Sequence, residues 1–375
     1  MGAASTIVQE RAQPPRLERW REVHHGASLA RLTGNAQTLA FVGLAKNTGK
    51  TVALRAILSE LGAQGVPVGV TSVGRDGEER DVIDIRIEKP RVHLPAGSLL
   101  ATTDRLLRAS GLAHRLLLHT GIRTPLGGVV LARLLTEGAI EIAGPSTRSE
   151  IRAVAEAMLA HGAERVLIDG AIDRRAASSP DTADGLVMCT GAVLGRDPLE
   201  VVARTREAAQ LACLAQTSSP SVRAHAAVHD SGSFLFGERG SAQALPARFA
   251  LTVTEREVRG LLDANPQARS ILVNGAVCET FLQALAEVAG GRELEVVAPD
   301  STKVFLARSC EYYRRRAITI SVLRPTRLLA LTINPLAPAS HRMDSTVLRE
   351  AIQEVIPGVP VLDVLDRPGP LQLAA

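Results

Sequence analysis

Two lysines, two threonines and two glycines fall within one short stretch at a spacing that suits phosphate chemistry. Residues 43–51 read Gly43-Leu-Ala-Lys-Asn-Thr-Gly-Lys50-Thr51 and fit the pattern G-x-x-x-x-G-K-[ST]. Glycines let a backbone wrap closely around an anion, and a loop that opens a helix offers amide N–H groups and a partial positive charge. In such a loop Lys50 reaches the β- and γ-phosphates and Thr51 places its hydroxyl on Mg²⁺. Gly43, Lys46, Asn47, Thr48 and Gly49 complete the expected cradle, and ATP with Mg²⁺ is the expected ligand pair. The plainer reading is a glycine-rich turn capping a helix, with Lys50 merely solvated. It gives no reason why Gly43, Gly49, Lys50 and Thr51 coincide. Lys46 is a second lysine inside the loop. Some loops of this kind use an extra lysine across a dimer interface, but there it stands nearer the first glycine. Lys46 therefore reads as an exposed or phosphate-facing cation, and a homodimer stays open.

The cradle needs a strand before it and a helix after it. The apolar run 38–42 supplies the strand, and residues 52–61 carry apolar side chains at helical spacing. A second strand is expected over 66–71, ending in a polar loop, 72–78. Thr71, Ser72, Asp76 and Glu78 stand there, where α/β sheets place ligand-contacting groups. Asp76 is the better placed carboxylate for a Mg²⁺-linked or switching role. The alternative is a turn, Arg75-Asp-Gly77, made for its backbone shape. Residues 165–169 are an apolar strand closing on Asp169, the form of a strand that offers a carboxylate to Mg²⁺; an Asp merely capping a turn is the other reading. Asp173, Arg174 and Arg175 follow, with Ser178, Ser179 and Asp181 beyond, and could sense a γ-phosphate or form a surface ion-pair loop. Asn334-Pro335 closes a late strand, where an Asn reads a nucleobase edge or simply makes a turn.

The rest of the chain alternates strands and helices. Strands are expected over 91–95, 127–135, 185–190, 270–274, 293–298, 328–334 and 359–364, and helices over 149–162, 198–214, 279–289 and 344–355. Residues 112–119 read as strand or short helix, and 217–245 as a connector with some irregular strand. This alternation predicts an α/β fold, a doubly wound and mostly parallel sheet of P-loop NTPase type with a C-terminal α/β extension or second domain. The expected divisions are a loosely ordered arm over 1–36, with a short helix near 16–23, a P-loop domain over 37–218, and a C-terminal region over 219–375 that could share the same sheet.

Composition sets bounds. Of 375 residues 46% are hydrophobic but only 2% aromatic, so the core is aliphatic, as suits buried parallel strands. A net charge of +4 is too small to argue for nucleic acid. The basic cluster Tyr312-Tyr-Arg-Arg-Arg316 reads as a solvated helix end. The four cysteines, Cys189, Cys213, Cys278 and Cys310, form no C-x-x-C pair, so no zinc site or disulfide framework is legible. His24, His25, His93 and His341 have no metal-ligand spacing. With no membrane-length apolar run and no signal-peptide core, a cytoplasmic protein is expected.

The stretches 41–51, 70–78, 167–175 and 184–191 together resemble the P-loop accessory proteins of adenosylcobalamin-dependent lysine 5,6-aminomutase and ornithine 4,5-aminomutase. More broadly they resemble the dethiobiotin-synthetase-like branch of P-loop proteins. The first resemblance implies a reactivation component acting with a MutS-like ATPase subunit and an aminomutase; the second, an ATP-dependent ligase or kinase. The chain carries no D-x-H-x-x-G cobalamin-ligand pattern, so it is not expected to hold B12 itself. It also lacks the lysine-rich substrate loop of the synthetases, which counts against direct carboxylate phosphorylation. Lys50, Asp169 and Asp76 are the catalytic candidates.

Overall fold

The structure is a computed structural model that describes residues 28–74, 91–171, 175–246, 249–338 and 341–364. In chain order the first strands are β1 (Thr38–Gly43), β2 (Val68–Ser72), β3 (Val92–Leu94), β4 (Leu99–Thr103), β5 (His114–Thr124), β6 (Gly127–Leu134), β7 (Gly138–Ile140), β8 (Arg165–Ala171) and β9 (Gly185–Gly191). After these come β10 (Ser233–Gly237), β11 (Ala242–Ala244), β12 (Ala268–Val273), β13 (Val277–Cys278), β14 (Leu294–Ala298), β15 (Val304–Phe305) and β16 (Ile318–Val322). The last two are β17 (Leu328–Asn334) and β18 (Val361–Asp363).

Nine strands form the main sheet, in the order β18-β17-β9-β1-β8-β2-β4-β6-β5. It is parallel from β18 to β4, and a hairpin, β5–β6, adds antiparallel pairing at one edge. β1 lies near the middle, and Leu39, Ala40 and Phe41 are wholly buried, as a strand covered on both faces requires. One face carries the helix Lys50–Ala63, whose Leu54, Ile57 and Leu61 recur at helical spacing and pack with Leu29, Phe41 and Leu167. The other face carries the helices Arg148–Ala160, Pro198–Ala212 and Ser345–Val355 through Ile151, Val154, Met158, Val201, Leu348 and Ile352. Each of these large aliphatic side chains contributes about 1.5–3 kcal/mol over leaving it exposed. The helix starts are written locally. Thr147 and Glu150 make a capping box, and Asp197 caps a helix with Pro198 in its first turn.

The chain between the helix Pro198–Ala212 and β17 builds a second sheet, β11-β10-β12-β14-β16. Its own core includes Ile271, Phe281, Leu285, Val296, Tyr313 and Ile318. The C-terminal region expected over 219–375 is thus divided. Residues 233–322 hold the second sheet, whereas β17 and β18 return to the first, so this unit is an insertion into the nine-stranded sheet. Its entering and leaving connections lie side by side, with Thr217 donating to the Val322 carbonyl and Val322 to that of Ala215, both at 2.9 Å.

Two expectations are corrected and one ambiguity is resolved. Within the arm expected over 1–36, Leu29–Leu32 is a short helix with Leu29 buried and Ser28 as its cap; the helix expected near 16–23 lies outside the described residues. Of the ambiguous stretch 112–119, residues 114–119 belong to strand β5. The connector expected over 217–245 contains a helix, Pro220–Ala226, and the strands β10 and β11. These were hard to read because the segment is rich in Ser, Gly and His and its strands are short.

Candidate functional site

The residues singled out for chemistry gather at the carboxyl ends of neighbouring strands. Asp169 of β8 stands in register with Phe41 of β1 and Ser72 of β2. Gly43 at the end of β1 is level with Ala171 and Cys189, and β17 ends with Asn334 opposite Gly191. Such an edge is where an open α/β sheet offers room for a ligand.

The loop between β1 and the helix Lys50–Ala63 is held by few contacts of its own. Leu44 donates to the Cys189 carbonyl at 2.9 Å. Thr48 is buried, and its hydroxyl donates to the Ala45 carbonyl at 3.0 Å. Gly43 is required here because a Cβ would lie 2.6 Å from that hydroxyl oxygen. Gly49 caps the helix at φ 83°, and Asn47 sits at φ 66°. Both are left-handed conformations, which glycine and asparagine adopt at least cost. Among the described residues, no backbone carbonyl accepts from the N–H groups of Lys46, Asn47, Gly49, Lys50 or Thr51. Unpaired amides next to a helix N-terminus are the donors an anion needs.

Lys50 opens the helix, and its ammonium lies 2.6 Å from Asp169 Oδ1, with both side chains about one quarter exposed. Thr51 follows, half-buried in the first turn. Lys46 and Asn47 are exposed on the loop. Asp169 and Thr51 are the groups that could hold a metal. Among the described residues no three His, Cys, Asp or Glu side chains converge as ligands. Mg²⁺ bound through one or two carboxylates, phosphates and water does not need such a cluster.

Several expected residues are placed elsewhere. Thr71 and Ser72 belong to β2, and both hydroxyls are buried in internal bonds, to the Ala101 carbonyl at 3.1 Å and the Ile142 carbonyl at 2.8 Å. Asp76, Glu78, Asp173 and Arg174 lie outside the described residues. Ser179 and Asp181 face the inserted unit: Ser179 donates to Asp300 at 3.4 Å, and Asp181 pairs with Arg324 and lies 3.9 Å from Arg148. Asn334, expected as a base reader or a turn residue, turns its carboxamide to the protein. Its Nδ2 donates to the Asn47 carbonyl at 2.7 Å and its Oδ1 accepts from the Leu336 N–H at 3.1 Å. In the basic cluster Arg314 and Arg315 pair with Glu311, and Arg316 stacks 3.8 Å over Tyr312, as befits a solvated helix end. His341 sits 2.9 Å from the Ala192 carbonyl and 3.1 Å from that of Gly195, holding two loops together.

Two groups had no signal in the sequence. Cys189 lies in β9 beneath the loop, and burial pushes its thiol up to about 12, with Thr332, Lys50 and Asp169 as polar neighbours; it is an inert thiol. Arg148, Asp300 and Arg324 meet across the contact between the two units, from positions far apart in the chain.

No protein family, no curated protein and no solved structure matches this chain.

Proposed function

We propose that the 43–51 loop is the phosphate cradle of a Mg²⁺-dependent nucleoside triphosphatase, with ATP as the nucleotide. One observation carries this reading: the Lys50–Asp169 ion pair, set beside backbone amides that no carbonyl among the described residues takes. The residues fit a triphosphate chain. Gly43 and Gly49 keep the loop tight, Lys50 supplies a cation, and Asp169 and Thr51 supply oxygen ligands of the kind Mg²⁺ prefers. When bound, Mg²⁺ neutralises charge on the β- and γ-phosphates. Lys50 would take phosphate oxygens in place of its carboxylate partner, Asp169 and Thr51 would hold the cation, and the loop amides would hold the phosphate oxygens.

The turnover drives a change of conformation in this reading, and the chain serves as the reactivation component of a cobalamin-dependent aminomutase, working with a MutS-like ATPase. Its support is the resemblance of the four stretches named above. The inserted unit, which contacts the segment after Asp169 through Ser179 and Asp181, is a surface on which such a partner could act. An ATP-dependent ligase or kinase on a small metabolite is the second reading, supported by the broader resemblance to the synthetase-like branch.

Titration of Mg·ATP into wild type and Lys50→Ala tests the cradle. Lys50→Ala is expected to lose at least ten-fold in affinity, given that charge-assisted bonds contribute about 1.5–3 kcal/mol; equal affinities would remove the proposal. Stimulation of hydrolysis by a mutase complex supports the remodelling role. Stimulation by a small metabolite alone replaces it with the second reading.

A further inference from the structure

Asn334 is 287 positions from Asn47 in the chain, yet its Nδ2 donates to the Asn47 carbonyl at 2.7 Å. Its own Oδ1 is held by the Leu336 N–H at 3.1 Å, so the carboxamide is gripped at both ends. The fit around it is close. A Cβ on Gly49 would come to 3.1 Å from Asn334 Cβ, and a Cβ on Gly191 would collide with the Asn334 carbonyl. β17 therefore ends pressed against the back of the loop, with no side chain on Gly49 or Gly191 to keep it off.

What this bond controls follows from peptide geometry. The Asn47 carbonyl and the Thr48 N–H belong to one planar trans peptide and point in opposite directions. Fixing the carbonyl toward Asn334 fixes the Thr48 N–H away from it, on the other side of the loop. Asn47 also sits at φ 66°, a left-handed conformation that asparagine enters at low cost, and the Asn334 bond holds its carbonyl in that geometry.

We infer that Asn334 is a positioning residue of the phosphate cradle, setting the Asn47–Thr48 peptide for phosphate binding rather than reading the nucleobase. The inference rests on the phosphate-cradle reading of the 43–51 loop. It assigns to β17, the strand that leaves the inserted unit, the task of shaping that loop. Preorganising a binding loop raises affinity by removing the cost of ordering it on binding.

The test uses the full-length protein and a probe with no base. Mg·ATP, Mg·GTP and Mg·tripolyphosphate are titrated into wild type, Asn334→Ala and Asn334→Ser. Ser keeps an acceptor for Leu336 but is too short to reach Asn47. Thermal melts confirm that each variant is folded. The expected result is a loss of about ten-fold for both variants, equal for all three ligands, with the ATP-to-GTP ratio unchanged. A variant that loses ATP or GTP but binds tripolyphosphate like wild type would make Asn334 a base reader and overturn the inference, as would unchanged affinity for all three. If wild type itself binds none of the three, the cradle reading fails, which is distinguishable because it does not depend on the variants.

Discussion

Lys50, first in its helix, and Asp169, near the end of β8, approach to 2.6 Å. Neither charge is fully exposed, so each would be costly to leave alone. In the proposed chemistry the pair would link the two halves, since Lys50 would turn to phosphate and Asp169 to the cation. Asp169→Asn keeps the shape of the side chain and removes its charge. It is expected to cut Mg·ATP hydrolysis by about 10²-fold or more, in line with removal of one electrostatic element of an active site, while triphosphate affinity stays within a few-fold. Single-turnover hydrolysis with parallel calorimetry measures both, and unchanged turnover would take Asp169 out of the mechanism. These two residues were legible in the sequence because each lies in a local pattern, glycines before a helix or an apolar run before an acid. Asn334 was visible as a site residue, but its direction was not. The end of a strand can face a ligand or a neighbouring loop, and only the packing of β17 against Gly49 and Gly191 selects the second.

The elements read most clearly where the chain carries its own punctuation. The capping box Thr147–Glu150 starts the helix Arg148–Ala160, and Gly43 and Gly49 bracket the loop; the helix Glu255–Ala264 was missed although Thr254 and Glu257 form the same box. Where such signals are thin, identity depends on neighbours. β10 is five residues long and gains its place from pairing with β12 and from a ring cluster beneath it. In that cluster His225 of the helix Pro220–Ala226 lies 4.2 Å from the ring of Phe234, 5.4 Å from Phe236 and 4.2 Å from His229. Desolvation, and then the nearby His229, holds the His225 pKa below its ordinary 6.5. The sign follows. The unfolded chain binds this proton more readily, so the stability tied to neutral His225 is full above about pH 6.5 and is lost as the pH falls through the folded value. Thermal melts of wild type and His225→Phe between pH 8 and 5 are expected to diverge as the pH falls, with the variant losing less. A difference in melting temperature that stays constant with pH would show that His225 protonation has no part in it.

Across the molecule, the inserted unit is tied to the main sheet by a compact ionic contact. Asp300 is wholly buried and takes Arg148 at 2.9 Å, the Thr302 N–H at 2.9 Å and the Ser179 hydroxyl at 3.4 Å, with Arg324 at 3.8 Å. Arg324 also pairs with Asp181 but is half exposed. Removing one partner of a buried pair leaves the other uncompensated, at about 3–5 kcal/mol, whereas an exposed pair contributes about 0–1 kcal/mol. Asp300→Ala is therefore expected to lower stability by about 3–5 kcal/mol and to raise amide exchange over 175–183 and 300–303. Arg324→Ala is expected to cost less than about 1 kcal/mol. Denaturant unfolding with hydrogen exchange compares them, and equal costs would mean that the contact is carried by packing and not by the buried charge. The segment 175–183 begins six residues after Asp169 in the chain, and β17 runs from the insertion to the 43–51 loop. The inserted unit thus reaches the candidate site by two routes.

Residue order within short windows was enough for the α/β alternation, the aliphatic core, the 43–51 loop and the acid at 169. Helix caps, strand periodicity and glycine turns act over a few residues and leave their mark there. Tertiary structure alone decided that β17 and β18 rejoin the first sheet after a second sheet has formed, that Thr71 and Ser72 turn inward, and that Asn334 faces the loop. It also decided that Arg148, Asp181, Asp300 and Arg324 meet. Those outcomes depend on which surfaces are buried against which, between positions as many as 287 apart. Pairing at that distance is selected by shape and charge only once the sheets have assembled.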